Sequence, residues 1–342
     1  MQVFARIDAS STLAEIPAIT RRIETLGFDG VHVSETIHDP FIVAALSISN
    51  SNDLVVRTSV ALAFIRSPLL TAYSAWDLSN LSGGRFHLGL GSQIRQNIED
   101  RYGMPWSSPV DRMREYIDVL ESAFAAFRNG DLVPFEGSQY RLLRLQKYFN
   151  PGPDELTVTP PIWIGGVNER MTKLAGERAS GFMTHSTNSH PKYIRDKCLP
   201  ALSAGASSAG RDLASIPIIA GSCFITARSA EEIMAKRETQ RRKFAFLYST
   251  PAYGTTLELL GYVDLGERLR AMVRSDNWDE LDSVVTDDVL DEVQPSASYE
   301  ELPALVTSRL SGLVSGFVLD LPYEQTDDDE FRDTIKAIQT IN

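Results

Sequence analysis

Val60-Ala61-Leu62-Ala63-Phe64-Ile65 is apolar at every position. A strand with one face in water alternates apolar and polar residues. A continuous run belongs to a strand covered on both faces, as in a parallel sheet flanked by helices. It lies in a strand predicted over residues 56–64. Downstream, residues 69–81 read as a helix and residues 86–92 as the next strand. Upstream, residues 4–8 and 30–35 read as strands. The helix between them is marked by a capping box, Thr12 with Glu15, and by Leu13, Ile16, Ile19, Ile23 and Leu26 at helical spacing. Gly27 comes next, where a helix-terminating glycine belongs.

The alternation continues. Residues 161–166, 181–186, 216–226 and 316–321 complete a set of eight strands. Helices are predicted over 111–127, after Pro109 and with Met113, Ile117, Leu120 and Phe124 on one face, and over 169–179. Eight strands alternating with helices point to an α/β fold, a closed (β/α)8 TIM barrel rather than an open doubly wound sheet. The spacing is uneven. Residues 129–159, with Gly137, Pro151, Gly152 and Pro153, read as an extended excursion. Residues 229–315 read as a helical insertion packed on the barrel, opened by a second capping box, Ser229 with Glu232. Its acidic block, 276–292, reads as a solvated helix face, and the whole chain, 1–342, as one domain.

Composition narrows the function. The 342 residues are 43% hydrophobic and 23% charged, which excludes a disordered or collagen-like chain. Lys and Arg total 33 against 45 Asp and Glu, a net charge of -12. Such a chain gains nothing from the counterion release that drives nucleic-acid binding. Cys198 and Cys223 form neither a disulfide framework nor a zinc pattern, and two reduced thiols are expected. The first residues carry no leader pattern, and no apolar stretch reaches the ~20 residues of a membrane helix. A cytoplasmic protein with no membrane and no nucleic-acid partner is expected.

Several motifs carry possible chemistry. In Leu88-Gly89-Leu90-Gly91-Ser92-Gln93, Ile94 stands where a dinucleotide fingerprint needs its third glycine. The glycines either pack a buried strand against a neighbour or leave room for a flat ring at the barrel mouth. Ile164-Gly165-Gly166-Val167-Asn168 leads from a strand into a helix. It is either a tight turn or a set of free N–H groups suited to phosphate. Ser34-Glu35-Thr36-Ile37-His38-Asp39 ends the second strand, on the face where barrels place their active sites, and Glu35 and His38 are candidate acid–base groups. His185, with Ser186, Thr187 and Asn188 after it, ends the sixth. His32 and His87, within strands, read as structural. Phe41, Phe64, Trp106 and Tyr253 suit either an apolar pocket or an ordinary core. No metal-ligand spacing and no Gly-x-Ser-x-Gly elbow is present, so no metal is expected, and hard chemistry calls for an organic cofactor.

Leu81-Ser82-Gly83-Gly84-Arg85-Phe86-His87-Leu88-Gly89-Leu90-Gly91 resembles the luciferase-like monooxygenase superfamily. The likeness extends through Thr58-Ser59-Val60-Ala61, Arg66-Ser67-Pro68 and Pro161-Ile162-Trp163-Ile164-Gly165-Gly166. Glu35-x-x-His38-Asp39-Pro40-Phe41 and Tyr102-Gly103-Met104-Pro105-Trp106-Ser107 are similar to its F420-dependent oxidoreductase branch. The resemblance implies a (β/α)8 barrel of the bacterial luciferase-like type. It implies coenzyme F420, a deazaflavin, as cofactor, with FMN the cofactor of other branches. The implied function is hydride transfer between F420 and a small organic substrate, by a homodimer. The alternatives are an FMN-dependent monooxygenase and a non-catalytic flavin-binding protein.

The resemblance also assigns residues. It implies a cis peptide at Ser59–Val60, behind the ring, and a cofactor phosphate near Gly165, Gly166, Val167 and Asn168. Gly91, Ser92 and Gln93 would edge the ring or its polyol chain, His185 and Ser186 would complete that wall, and Asp8 would face the same mouth. Arg66, Arg95 and Arg101 are candidates for an acidic cofactor tail. Several relatives place an acidic residue directly before a His at the second strand's end. Here Thr36 comes after Glu35 and His38 later still, so Glu35 is the closer positional match for the proton-handling group.

Overall fold

The first barrel strand, β1 (Gln2–Arg6), pairs in parallel with β2 (Gly30–Val33) on one side and with the last strand, β8 (Gly316–Leu319), on the other. This is a computed structural model, and it describes residues 1–154, 157–278 and 280–341. Between them lie β3 (Val55–Thr58), β4 (Phe86–Gly91), β5 (Ile162–Gly165), β6 (Gly181–Met183) and β7 (Ile218–Ala220). The order is β3-β2-β1-β8-β7-β6-β5-β4, and β3 also pairs with β4, which closes the ring. All the barrel pairings are parallel, so helices must carry the chain back on the outside. The resulting (β/α)8 barrel is the fold that the alternation of elements implied.

Helix α1 (Ile16–Leu26) buries Ile16, Ile23 and Leu26 and ends at Gly27, whose φ of 84° is the left-handed conformation that glycine adopts freely. The Thr12–Glu15 pair works differently from the expected capping box. The Glu15 carboxylate accepts from the Thr12 N–H and hydroxyl, both at 2.8 Å, and closes a turn ahead of the helix. Helices α2 (Pro40–Ile48), α3 (Pro68–Ser82) and α4 (Pro109–Asn129) each begin with the proline that suits a first turn. Next come α5 (Glu169–Arg178) and α6 (Leu199–Ser208).

Two predicted strands are not continuous. The stretch over 56–64 breaks after Thr58. Ser59–Val60 is a cis peptide, Ala61–Leu62 rejoins β4, and Ala63–Ile65 turns into a 3-10 helix with Phe64 fully buried. An all-apolar run reports burial, and a buried strand and a buried helical turn look alike on that measure. The stretch over 216–226 also divides. Only Ile218–Ala220 stays in the barrel, while Ile225–Ala227 leaves to pair with Ser296–Ser298. The break falls at Gly221, where a Cβ would lie 2.7 Å from the Ser186 nitrogen.

The segment between β7 and β8 is therefore not all helix. It contains α7 (Ala230–Tyr248), α8 (Thr255–Leu259), α9 (Val263–Arg274) and α10 (Asp287–Val293). These bury an apolar cluster of their own, including Phe244, Tyr248, Leu257, Leu269 and Val289. Helices α11 (Leu302–Leu310) and α12 (Asp328–Gln339) return to the main core. Within the acidic block, Asp279 lies outside the described residues. Asp287 and Asp291 are exposed acids that pair with Arg237. Among the described residues, no helix is long and apolar enough to cross a membrane.

The barrel interior holds Phe4, Trp163, Met183, Ile219 and Val318. Among them lies a polar row. His32, Arg57 and His87 are in register on three adjacent strands. The Arg57 guanidinium reaches His32 Nε2 at 3.0 Å and His87 Nδ1 at 3.1 Å, over the Trp163 ring at 3.6 Å. This places His32 and His87 in the structural role that the sequence suggested.

Candidate active site

A cavity of about 230 Å³ opens at the C-terminal ends of β3 to β6. Its floor is set by close backbone approaches. The Thr58 hydroxyl donates to Gly89 O and accepts from Gly89 N, each at 2.8 Å. A Cβ on Gly91 would collide with Val60 Cγ2, and one on Gly165 would come within 2.7 Å of Val60 Cγ1. The two glycines thus make room for the Val60 isopropyl group, which stands between β4 and β5 as part of the cavity wall. The glycines admit a close neighbour, the first of the two readings, and that neighbour lines the mouth.

A second part of the lining is the turn from β5 into α5. Asn168 caps α5, its Oδ1 accepting from Met171 N at 3.0 Å. Among the described residues, the N–H groups of Val167 and Asn168 have no protein acceptor. They join the positive end of the α5 dipole and suit an anion. Glu169, the acidic residue in the first turn of α5, is paired to Lys197 at 2.7 Å.

His185 closes a third side. Its Nδ1 accepts from Thr187 N at 3.3 Å and lies 2.9 Å from the Thr187 hydroxyl. A neutral ring with Nδ1 accepting carries its proton on Nε2. Burial, with Lys243 and Arg6 adding positive charge, pushes the His185 pKa down to about 4. The ring therefore stays neutral near pH 7 and offers a hydrogen-bond donor. Tyr253, from the insertion, stacks on it with ring centres 4.9 Å apart and planes 9° from parallel.

Ser59, Val60, Gly91, Ser92, Gln93, Gly165, Gly166, Val167, Asn168 and His185 are brought together around this cavity. Ser186 is not among them. It faces a smaller neighbouring cavity with Lys243 and Tyr248. Asp8 is exposed and binds the Ser10 N–H at 2.8 Å.

Neither acid–base candidate lines the cavity. Glu35 is buried beside Arg66, its two oxygens 2.6 and 2.8 Å from the guanidinium, and also accepts from Leu62 N at 2.7 Å. With donors on both oxygens, the carboxylate anchors the chain after the strand break. His38 Nε2 is spent on Ser11 O at 3.1 Å. Arg66 is occupied by Glu35 and Asp39, Arg95 by Glu99, and Arg101 by Thr36 O.

Sequence reasoning passed over Leu62, Ile94, Met171, Met183 and Thr184, which also line the cavity. For Leu62, Met183 and Thr184 the position at a strand end was the available signal; Met171, in α5, and Ile94, past β4, carried none. Of the four aromatics considered, Tyr253 reaches the cavity, whereas Phe64 is core, with Trp106 packed on it.

The lining divides between apolar side chains, Val60, Leu62, Ile94 and the methionines, and backbone and imidazole donors. A flat heteroaromatic ring with an attached anion fits that division. The family model for luciferase-like monooxygenase matches residues 1–306. The chain is 33% identical over 292 residues, 85% of each chain, to an uncharacterised protein of Mycobacterium tuberculosis. It is 29% identical over 217 residues, 63% of this chain and 62% of the other, to 5,10-methylenetetrahydromethanopterin reductase of Methanolobus tindarius. The coenzyme F420-dependent tetrahydromethanopterin reductase of Methanopyrus kandleri superposes with a TM-score of 0.79 at 18% identity, over 99% of this chain and 97% of that one. The barrel with its site at the strand ends is that of a (β/α)8 oxidoreductase or monooxygenase. The chain belongs to the luciferase-like monooxygenase family.

Proposed function

We propose that the chain is an F420-dependent oxidoreductase that moves a hydride between the deazaflavin and a small organic substrate. The observation that carries this reading is the mixed lining of the cavity, apolar at Val60 and Leu62 and, among the described residues, with unpaired amides at Val167 and Asn168. The named F420-dependent relative and the named methanopterin reductase favour the deazaflavin over FMN. When bound, F420 supplies a carbon centre that gives or accepts a hydride. The chain's own residues bind and orient. Val60 supports the ring from the barrel side. Gly91, Ser92 and Gln93 edge it, and the amides of Val167 and Asn168 hold its phosphate. His185 Nε2–H donates to an acceptor on the ligand, and Tyr253 covers the imidazole and limits water. Holding the reacting partners within ~3–3.5 Å is the protein's main contribution to rate.

Fluorescence titration of the purified chain with F420 and, separately, FMN tests this. Tight F420 binding with weak FMN binding is expected. Preference for FMN would move the chain to the monooxygenase reading, and binding of neither would remove the enzyme reading.

A further inference from the structure

Two buried side chains stand behind the β5–α5 turn, outside the cavity. Asn188 is 3% exposed and Tyr193 is 4% exposed. Asn188 Nδ2 donates to Gly166 O at 3.1 Å, and the Tyr193 hydroxyl donates to Val167 O at 2.8 Å. Both peptides of this turn are trans. In a trans peptide the C=O and the following N–H point in opposite directions. A carbonyl drawn toward Asn188 therefore sends the Val167 N–H away from it. The carbonyl drawn toward Tyr193 likewise sends the Asn168 N–H away. Val167 and Asn168 line the cavity, and neither of their N–H groups has a protein acceptor among the described residues. Asn188 also spans to the next wall, its Oδ1 accepting from His185 N at 2.7 Å. Burial raises the Tyr193 pKa, which keeps the hydroxyl a donor.

We infer that Asn188 and Tyr193 are positioning residues that aim the Val167 and Asn168 amides at the phosphate ester of the cofactor. The inference rests on the function proposed above. Its ligand chemistry is a phosphate attached to a flavin or deazaflavin side chain. Neither side chain touches the ligand; each acts through a carbonyl that it holds.

The test compares ligands with and without that phosphate. FMN is paired with riboflavin, and F420 with its phosphate-free deazaflavin riboside. Affinities are measured by fluorescence for the native chain, Tyr193→Phe and Asn188→Ala. In Tyr193→Phe the phosphate-bearing ligand should weaken about tenfold and its phosphate-free partner by less than about twofold, the scale of one charge-assisted hydrogen bond. Asn188→Ala should weaken both, because it also releases His185. Thermal unfolding monitors the fold, and Tyr193→Phe keeps its ring packing if Asn188→Ala does not fold. Equal loss for both partners, or none for either, in Tyr193→Phe overturns the inference. If the native chain prefers neither partner of a pair, the inference fails while the proposed function stands. If it binds no partner at all, the proposed function fails and the inference with it.

Discussion

Replacing Gly91 by alanine places a methyl against Val60 Cγ2, part of a short branched side chain whose Cβ is itself only 3.2 Å away. Overpacking of this kind costs about 1–3 kcal/mol. Gly91→Ala is expected to lower the melting temperature and weaken cofactor binding. Val60→Ala introduced with it should restore much of the stability, and a double-mutant cycle on melting temperature measures that coupling. Glu35 gives a second residue-scale prediction. Glu35→Gln leaves the partly buried Arg66 with Asp39 as its remaining carboxylate partner; breaking a fully buried pair costs about 3–5 kcal/mol, and solvent access and Asp39 reduce that here. Stability should fall, and turnover per folded molecule should hold. A collapse of kcat at unchanged melting temperature would instead return Glu35 to proton transfer. The glycines were legible in the sequence because only close approach or open space explains them in a strand. Glu35 was legible as a site-proximal carboxylate, but its occupant was not. Arg66 lies 31 positions away, and the strand break that joins them is a tertiary event.

At the scale of elements, the row His32–Arg57–His87 ties β2, β3 and β4 together without a carboxylate. Burial, reinforced by the Arg57 charge, holds the His32 pKa well below the usual imidazole range and pushes that of His87 down to about 3. With His185 at about 4, three imidazoles remain neutral in the fold while an unfolded chain protonates them near pH 6.5. The unfolded state therefore binds more protons between pH 6.5 and about 4, and stability falls as pH falls through that window. Denaturant unfolding at a series of pH values should show an uptake of about three protons from these rings on unfolding near pH 5, with His190, also held down by burial, adding to it. His32→Phe or His87→Phe should each reduce that uptake by about one. The eight strand positions were readable because each run is apolar and bounded by turn residues. Their ends were not. The runs over 56–64 and 216–226 resume as buried apolar residues beyond each break, at 61–64 and 223–225, so the interruptions at Ser59 and Gly221-Ser222 read as part of a strand.

Over the whole molecule, the segment between β7 and β8 has its own apolar cluster yet reaches into the barrel mouth at Tyr253 and at Tyr248, whose hydroxyl donates to Thr187 O at 2.7 Å. Occupation of the cavity should slow amide exchange in residues 249–254, which hydrogen-exchange mass spectrometry with and without cofactor measures. Tyr253→Ala should weaken binding while Tyr253→Phe retains it, because the stack needs the ring and not the hydroxyl. The insertion's existence was visible as an irregular gap in the strand rhythm. Its contact with the mouth was not, since nothing local in Pro251-Ala252-Tyr253 names His185 as the partner.

The seam between β1 and β8, with Gln2 opposite Gly316 and Ala5 opposite Leu319, has a consequence for biosynthesis. In chain order β1 emerges before every other barrel strand and β8 after them. Throughout that interval the exposed backbone of Gln2–Arg6 is an open template for any other extended chain. Ring closure therefore waits for the last barrel strand, and until then the open edge of β1 can take a wrong partner.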